Sequence, residues 1–266
     1  MPLISAAGMA CHDVRMTHNS AVAPFSSDGG STGILFCHGF TGSPAAMRPW
    51  AEFMSRHGYS TRLPLLPGHG TTPQELATTG WQDWRDAERS AFTELRARCD
   101  RVFVFGLSMG GTLALRLAEE LGDDVTGLAL VNASVHTENP LARLARLLQY
   151  VKPMFPAIGN DIKRPGGNEH AYDRMPVKAF VQLQQLWAVV RADVAKVDQP
   201  TLIVKSAEDH VVEASNHEWL VTHIPAQDKQ VLILEHSYHV ATLDNDADLL
   251  FRRSLEFVQR VVRQTS

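Results

Sequence analysis

Short apolar runs alternate along this chain with longer stretches in which apolar residues recur at helical spacing. An uninterrupted apolar run predicts a strand that is buried on both faces, as in a parallel sheet. Strands that alternate with helices predict such a sheet with helices on both faces. The strand candidates are Gly33–Cys37, Tyr59–Leu65, Val102–Phe105, Val125–Val131, Pro200–Lys205 and Gln230–Leu234.

The first predicted helix follows the first of these strands. Ser43 is a natural N-cap, and Pro44 suits the first helical position. Met47, Trp50 and Met54 then lie on one helical face, and a glycine at position 58 ends the helix. Further helices are predicted over Trp81–Arg98, Val212–His223 and Asp246–Gln264. Residues 1–30 have little periodicity, with at most a short edge strand near Ala21–Phe25.

The alternation stops after Asn132. Residues 133–196 contain no strand-like run, but they contain two apolar helical stripes, Leu141–Val151 and Val177–Val190. A plain crossover between parallel strands needs only about a dozen residues. We therefore predict a helical cap at 133–196, inserted into a core formed by 1–132 and 197–266. In that cap, the side chains of Leu141, Leu144 and Leu148 are candidates for covering Ser108 as a roof and binding the substrate.

One motif carries chemistry. Gly106-Leu107-Ser108-Met109-Gly110 stands between the Val102–Phe105 strand and a good helix-forming stretch, Thr112–Glu120. A G-x-S-x-G sequence in this context is a nucleophile elbow, a turn so tight that the flanking positions must lack side chains. It predicts that Ser108 is a catalytic nucleophile, with its hydroxyl raised above the sheet.

A serine hydroxyl needs a base within hydrogen-bond reach, and the base needs a carboxylate that holds its working tautomer. In a parallel sheet these groups lie on loops at the carboxyl ends of strands, in the chain order Ser, Asp or Glu, His. Glu208 and Asp209 follow one late strand, and His236 and His239 follow the last one. The spacing alone leaves both pairs as candidates.

Composition narrows the class of protein. With 266 residues, 44% hydrophobic and 20% charged, the chain has the composition of an ordinary globular protein. A net charge of −4 without a basic cluster argues against a nucleic-acid partner. Three cysteines at unrelated spacings favour free thiols in a reducing compartment. The N-terminus has no Lys or Arg before its apolar residues and is a poor signal peptide, so the predicted location is cytoplasmic.

No grouping of the twelve histidines has a metal-ligand spacing, and the predicted chemistry needs neither a metal nor an organic cofactor. No segment is long and apolar enough to span a bilayer. The expected partner is a small-molecule substrate, and the chain is expected to be a monomer or a homodimer.

Five motifs in order, CHGFTGSP, LPGHG, GLSMGG, SAEDHVV and SYHVATLD, resemble the bacterial carboxylesterase and monoacylglycerol lipase family of the α/β-hydrolase superfamily. The resemblance runs from about position 33 to the last helix. It implies an α/β-hydrolase fold: a mostly parallel central sheet flanked by helices, with a helical cap inserted after the sixth core strand. It also implies that Asp209 is the acid and His239 the base.

The negative charge that develops on the substrate oxygen needs two prepositioned donors. The elbow supplies the backbone N–H of Met109, and the resemblance places the second donor at the backbone N–H of Phe40. The resemblance points to monoacylglycerols or short to medium acyl esters, hydrolysed through an acyl-enzyme. The stripe Leu141–Val151 either faces the carboxyl edge of the sheet and covers Ser108, or faces water as an apolar patch suited to transient contact with a lipid surface or a partner. Acyl transfer, C–C hydrolysis, perhydrolysis and non-catalytic ligand binding are the alternatives for this fold.

Overall fold

The computed structural model describes residues 21–264, which form nine strands and eight α-helices. The strands are β1 (Phe25–Ser27), β2 (Thr32–Cys37), β3 (Ser60–Leu63), β4 (Arg101–Leu107), β5 (Gly127–Val131), β6 (Met154–Pro156), β7 (Arg174–Pro176), β8 (Thr201–Ser206) and β9 (Lys229–Leu234). The helices are α1 (Arg48–Arg56), α2 (Pro73–Leu76), α3 (Trp81–Arg96), α4 (Met109–Leu121), α5 (Ala145–Val151), α6 (Val177–Asp193), α7 (Ala214–His223) and α8 (Ala247–Gln264).

Seven of the strands form one sheet in the order β1-β3-β2-β4-β5-β8-β9. All neighbours are parallel except β1, which pairs antiparallel with β3 at the edge. The six predicted strands are all present, with ends that shift by a few residues. The predicted edge strand is found slightly later in the chain, at Phe25–Ser27. The predicted lead-in falls mostly in residues 1–20, which lie outside the described residues.

Two apolar layers cover the sheet, one on each face. This explains why apolar and polar residues do not alternate along its central strands. On one face α3, α4 and α6 pack on the sheet and bury residues such as Trp84 and Leu113. On the other face α1 and α8 do so. There the ring of Trp50 stacks on that of Phe105, with centroids 4.8 Å apart. The parallel strand ends therefore meet at one edge, where the intervening loops converge.

The start of α1 differs slightly from the prediction. Ser43 Oγ accepts a hydrogen bond from the backbone N–H of Ala45, but this cap opens a short 3₁₀ turn, Pro44–Ala46, that precedes the α-helix. Gly58, with a φ of +87°, follows the helix at its C-terminal end, as predicted.

The prediction that residues 133–196 contain no strand is wrong. β6 and β7 pair antiparallel, with Phe155 opposite Met175. Each strand has only three residues and ends in proline, so neither produces a recognisable alternation. Counted over the described residues, this segment follows the fifth strand of the sheet and not the sixth, because only β1 precedes β2. The division into core and cap stays a prediction.

The two apolar stripes of this segment behave differently. The second lies in α6, and its Leu183, Leu186 and Trp187 are buried against the core. The first spans a 3₁₀ turn and α5 and faces outward, with Leu141, Leu144 and Leu147 exposed by 60%, 47% and 70%. Only alanines of this stripe are buried, together with part of Leu148.

Candidate active site

Ser108 lies at the sharp turn between β4 and α4. Its backbone has φ 56° and ψ −122°, a left-handed conformation that non-glycine residues rarely adopt. A Cβ on Gly106 would collide with the backbone of Gly110, and one on Gly110 would collide with the carbonyl of Cys37. The two glycines of the motif are therefore required by close backbone contact, and the turn presents the serine at the carboxyl edge of the sheet.

A histidine and an aspartate meet beside this turn. His239 Nδ1 donates a hydrogen bond to Asp209 Oδ2 over 2.9 Å, and the two side chains are only 8% and 5% exposed. The other oxygen, Asp209 Oδ1, accepts the backbone N–H groups of Val211 and Val212, each at 2.8 Å. With Nδ1 engaged in this way, the remaining ring nitrogen of His239 carries the free lone pair.

The alternatives from the sequence lie elsewhere. Glu208 is exposed and accepts a hydrogen bond from Lys163 Nζ at 3.1 Å. His236 is exposed just past the end of β9. The structure therefore brings Asp209 and His239 together and leaves the other two candidates at the surface.

The electrostatics of the pair favour a charged imidazole. Burial by itself lowers the pKa of His239, but the nearby carboxylates outweigh it, above all Asp209, and the pKa is raised overall. Burial likewise raises the pKa of Asp209, yet His239 and the two backbone N–H groups lower it below its usual value. The carboxylate thus stabilises the imidazolium that forms when the base accepts a proton.

The buried amide of Asn132 holds these loops in place. It follows β5 in a left-handed conformation, with φ 44°. Its Nδ2 donates to the main-chain oxygen of His239 at 2.7 Å and to Ser206 Oγ at 3.0 Å, while its Oδ1 accepts the N–H of Ser206 at 2.8 Å. Sequence reasoning missed this role, although a polar residue directly after a buried strand is a usable signal.

Two backbone N–H groups are available near Ser108. Met109 is the first residue of α4, so its N–H has no intrahelical acceptor. Phe40 lies in the loop after β2, which packs on the serine: a Cβ on Gly39 would lie 3.4 Å from Ser108 Cβ. Within residues 21–264, neither the Phe40 N–H nor the Met109 N–H has a hydrogen-bond partner.

The orientation of the Phe40 N–H follows from its own peptide unit. Gly39 O accepts hydrogen bonds from His38 Nδ1 at 3.0 Å and from the N–H of Gly42 at 3.3 Å. In a trans peptide the C=O and N–H point in opposite directions, so these bonds turn the Phe40 N–H away from them. His38 Nε2 accepts the N–H of Leu66 at 3.2 Å, and burial lowers the pKa of His38 to about 4. His38 is therefore neutral above that pH, and its two ring nitrogens hydrogen-bond to Gly39 and Leu66.

Ser108 and His239 share the wall of one cavity of about 240 Å³. The segment 133–196 supplies most of its apolar wall, in particular Ile158, Met175, Phe180, Leu183 and Trp187. The polar contributions come from loops and include His136, Thr137, Glu169 and Glu213.

The predicted roof of leucines is wrong in part. Leu141, Leu144 and Leu148 do not line this cavity. Leu141 and Leu148 line a second, neighbouring cavity of about 280 Å³, which shares Pro156, Met175 and Phe180 with the first. Leu144 lines neither of them and points outward, because the helical turn that carries it buries its alanines instead.

Glu169 is a site residue that the sequence analysis did not identify. It belongs to an irregular stretch without periodicity, so no local signal marks it. Its Oε1 accepts the N–H of Asn160 at 2.7 Å, and burial raises the pKa of its carboxyl group. Its Oε2 has no donor among the residues that the structure describes. Glu169 also lines the cavity of Ser108 and His239.

The part of the chain described, residues 21–264, has neither a cluster of metal ligands nor a membrane-spanning helix. No group of three or more His, Cys, Asp and Glu side chains is placed to bind a metal ion. None of the helices in this range is both long enough and apolar enough to cross a membrane.

A mostly parallel sheet with a serine elbow, and a buried His–Asp pair beside it, define an α/β hydrolase of the serine-hydrolase class. The chain belongs to the family Hydrolase_4, described as serine aminopeptidase, S33, whose model matches residues 31–246.

Several known proteins are similar to this chain over nearly its whole length. The chain is 39% identical to a thermostable monoacylglycerol lipase of Bacillus sp. (strain H-257), over 90% of this chain and 94% of that protein. It is 28% identical to a carboxylesterase of Bacillus subtilis (strain 168), over 90% of this chain and 96% of that protein. A structure from work on the metagenome-derived lipolytic enzymes LipS and LipT matches with a TM-score of 0.88 and 41% identity, covering 91% of this chain and 98% of that one.

Proposed function

We propose that this protein hydrolyses carboxylic esters, monoacylglycerols and short to medium acyl esters in particular, through a covalent acyl-enzyme. The observation that carries the proposal is the buried hydrogen bond between His239 Nδ1 and Asp209 Oδ2, on a cavity that also contains Ser108. The similarity to a monoacylglycerol lipase and a carboxylesterase supports the choice of esters among the substrates of serine hydrolases.

Acylation comes first. Ser108 Oγ attacks the ester carbonyl carbon, and His239 accepts the hydroxyl proton on the ring nitrogen not bonded to Asp209. The carbonyl oxygen becomes an oxyanion, which the N–H groups of Phe40 and Met109 stabilise. The tetrahedral intermediate collapses, the bond to the alcohol oxygen breaks, and the imidazolium gives its proton to the leaving alcohol. The acyl group remains on Ser108.

Deacylation repeats these steps with water. His239 takes a proton from a water molecule as the oxygen attacks the acyl carbon, and the same two N–H groups hold the oxyanion. Collapse of this second intermediate breaks the bond to Ser108 Oγ, which regains a proton from the imidazolium. The carboxylic acid leaves, and Ser108 and His239 return to their starting protonation states.

The walls of the cavity fit the two halves of a monoacylglycerol. An acyl chain suits the apolar wall of Phe180, Leu183 and Trp187 and can extend into the neighbouring cavity lined by Leu148. The free oxygen of Glu169 suits the hydroxyl hydrogens of a glycerol leaving group. A substrate with an apolar acyl part and a hydroxylated alcohol part is therefore the best match.

Residues 133–196 act in this proposal as the cap over the cavity. The outward apolar stripe of Leu141, Leu144, Leu147, Tyr150 and Val151 suits transient contact with a lipid surface from which substrate is drawn. The buried free thiols of Cys37 and Cys99 agree with a cytoplasmic location. The protein acts as a monomer or a homodimer.

Labelling and turnover together test this function. The wild type should react covalently with a fluorophosphonate probe and hydrolyse monoacylglycerols and acyl esters. Ser108→Ala should lose the label and about 10⁴- to 10⁶-fold in kcat while keeping its unfolding temperature. A wild-type chain that neither labels nor turns over any ester would favour the non-catalytic binding alternative. Turnover of only amide, thioester or C–C substrates would replace the reaction but not the nucleophile.

A further inference from the structure

Asp161 contacts both loops that carry the candidate acid and base, although it belongs to neither. Its Oδ2 accepts the main-chain N–H of His239 at 3.1 Å and that of His210, the neighbour of Asp209, at 3.2 Å. Its main-chain oxygen accepts the N–H of Val240 at 3.1 Å. The carboxylate is only 10% exposed. One buried carboxylate thus fixes the backbone on both sides of the hydrogen bond between His239 and Asp209.

The segment that carries Asp161 is itself tied to the base loop. The N–H groups of Lys163 and Arg164 donate to the carboxylate of Asp244, at 2.7 and 2.8 Å. The same carboxylate accepts the N–H of Tyr238 at 2.8 Å. The Asp244 carboxylate therefore ties the segment of Asp161 to the base loop, in addition to the bonds that Asp161 itself makes.

The charges around His239 come from three carboxylates. Asp209 faces it from the acid loop, and Glu169 and Asp161 face it from the segment between β5 and β8. All three stabilise the imidazolium relative to the neutral ring. On its outer side Asp161 Oδ1 accepts from His210 Nδ1 at 2.8 Å, and the other nitrogen of that ring lies 3.4 Å from Glu208. A protonated His210 thus offsets part of the charge of Asp161.

We propose that Asp161 is a positioning residue for the acid and base: its carboxylate fixes the main chain of both loops, and its negative charge adds to that of Asp209 beside His239. The proposal rests on the proposed function, because it assigns a role relative to that base. Asp161 does not line the cavity that contains Ser108, so its role acts through His239 and the loop of Asp209.

Asp161→Asn separates charge from geometry. An amide oxygen in place of Oδ2 still accepts the two main-chain N–H groups, while the negative charge is lost. The pKa of His239 should fall. Because the base must be neutral to act, the acid limb of kcat/KM should move to lower pH with little change in the plateau. The matched control is Glu208→Gln, which removes an exposed carboxylate of the acid loop that does not face His239 and should leave the limb in place.

Asp161→Ala removes both the charge and the acceptors. It should lower the plateau kcat, by up to about 100-fold if the catalytic groups shift by about 1 Å, with KM unchanged. The partial recovery of kcat in Asp161→Asn identifies main-chain anchoring as the cause. An acid limb at the wild-type pH in Asp161→Asn would overturn the electrostatic role. A wild-type kcat in Asp161→Ala would overturn the positioning role.

Two measurements keep these outcomes distinct from failures of other kinds. The fluorophosphonate reaction of the wild type tests the proposed function, so a wild type that does not react defeats that function before Asp161 is tested. The unfolding temperature identifies variants that do not fold. Should Asp161→Ala fail to fold, the pH limb of Asp161→Asn against Glu208→Gln still decides the proposal.

Discussion

Asn132 Nδ2 donates a hydrogen bond of 2.7 Å to the main-chain oxygen of His239, a residue 107 positions later in the chain. This contact joins the end of β5 to the loop after β9 across the intervening strand, whose Ser206 bonds to the same amide. The candidate base is thus fixed from both directions: through its ring by Asp209 and through its backbone by a buried amide.

The first prediction concerns this amide. Asn132→Gly keeps the left-handed backbone but leaves the N–H of buried Ser206 without its acceptor, so the free energy of unfolding should drop by about 1–3 kcal/mol. Asn132→Ala should cost about 1 kcal/mol more, because alanine is strained at a φ of 44°. Denaturant unfolding of both variants measures this, and kcat should fall in each. Wild-type stability of Asn132→Gly would mean that the amide has no structural role.

The second prediction separates the two adjacent carboxylates. Asp209→Asn should lower kcat by roughly 10²- to 10⁴-fold, because the imidazole loses the partner that fixes its tautomer. Glu208→Gln should leave kcat near the wild-type value, since its side chain is exposed and points to Lys163. Steady-state kinetics of the purified pair, at equal unfolding temperature, decide the matter. The reverse order would make Glu208 the acid.

The third prediction concerns pH and stability. His38 has a pKa of about 4 in the folded protein against 6.5 for the free side chain. The unfolded chain therefore binds this proton more readily, and the stability present above pH 6.5 is lost as the pH falls toward 4, by roughly 3 kcal/mol in all. His38→Gln cannot titrate and should flatten this part of the stability curve. Denaturant unfolding over a pH series measures this slope, and a wild-type slope in His38→Gln would contradict His38 as its origin.

The fourth prediction concerns the alcohol side of the cavity. Glu169→Gln keeps an acceptor for the N–H of Asn160 but removes the free carboxylate oxygen. The kcat/KM for monoacylglycerols should fall by about 10-fold or more, the typical worth of a hydrogen bond to a charged group. The methyl ester of the same fatty acid has no glycerol hydroxyls and should be hydrolysed as by the wild type. An equal loss on both esters would contradict a glycerol contact.

The fifth prediction uses two leucines of the same stripe. Leu148→Ser should weaken hydrolysis of long acyl esters by roughly 10-fold while sparing acetate esters, because each buried methylene is worth about 0.8 kcal/mol. Leu144→Ser should leave both classes unchanged, since Leu144 lines neither cavity. Kinetics over a series of acyl lengths test the pair. If both variants lose long-chain activity equally, the acyl chain passes along the outer face of α5.

The sequence by itself determined the features that depend on neighbouring residues. Apolar runs predicted the central strands β2, β4, β5 and β8 because burial on both faces excludes polar side chains. The glycines at 106 and 110 marked the elbow, since the turn has no space for a Cβ. The chain order of strands also placed Asp209 and His239 on loops at one edge, because parallel strands all end there.

Only the tertiary structure decided what depends on distant residues. The periodicity of Leu141–Val151 identifies a helical face but does not say what covers it, and in the structure that face is largely exposed, while α6 covers the cavity. Asp161 and Glu169 have no local signature, and the position of Asn132 after a buried strand does not say which residues it contacts. Their roles arise from side-chain contacts with residues far away in the chain, and a one-dimensional pattern carries no information on where such residues meet.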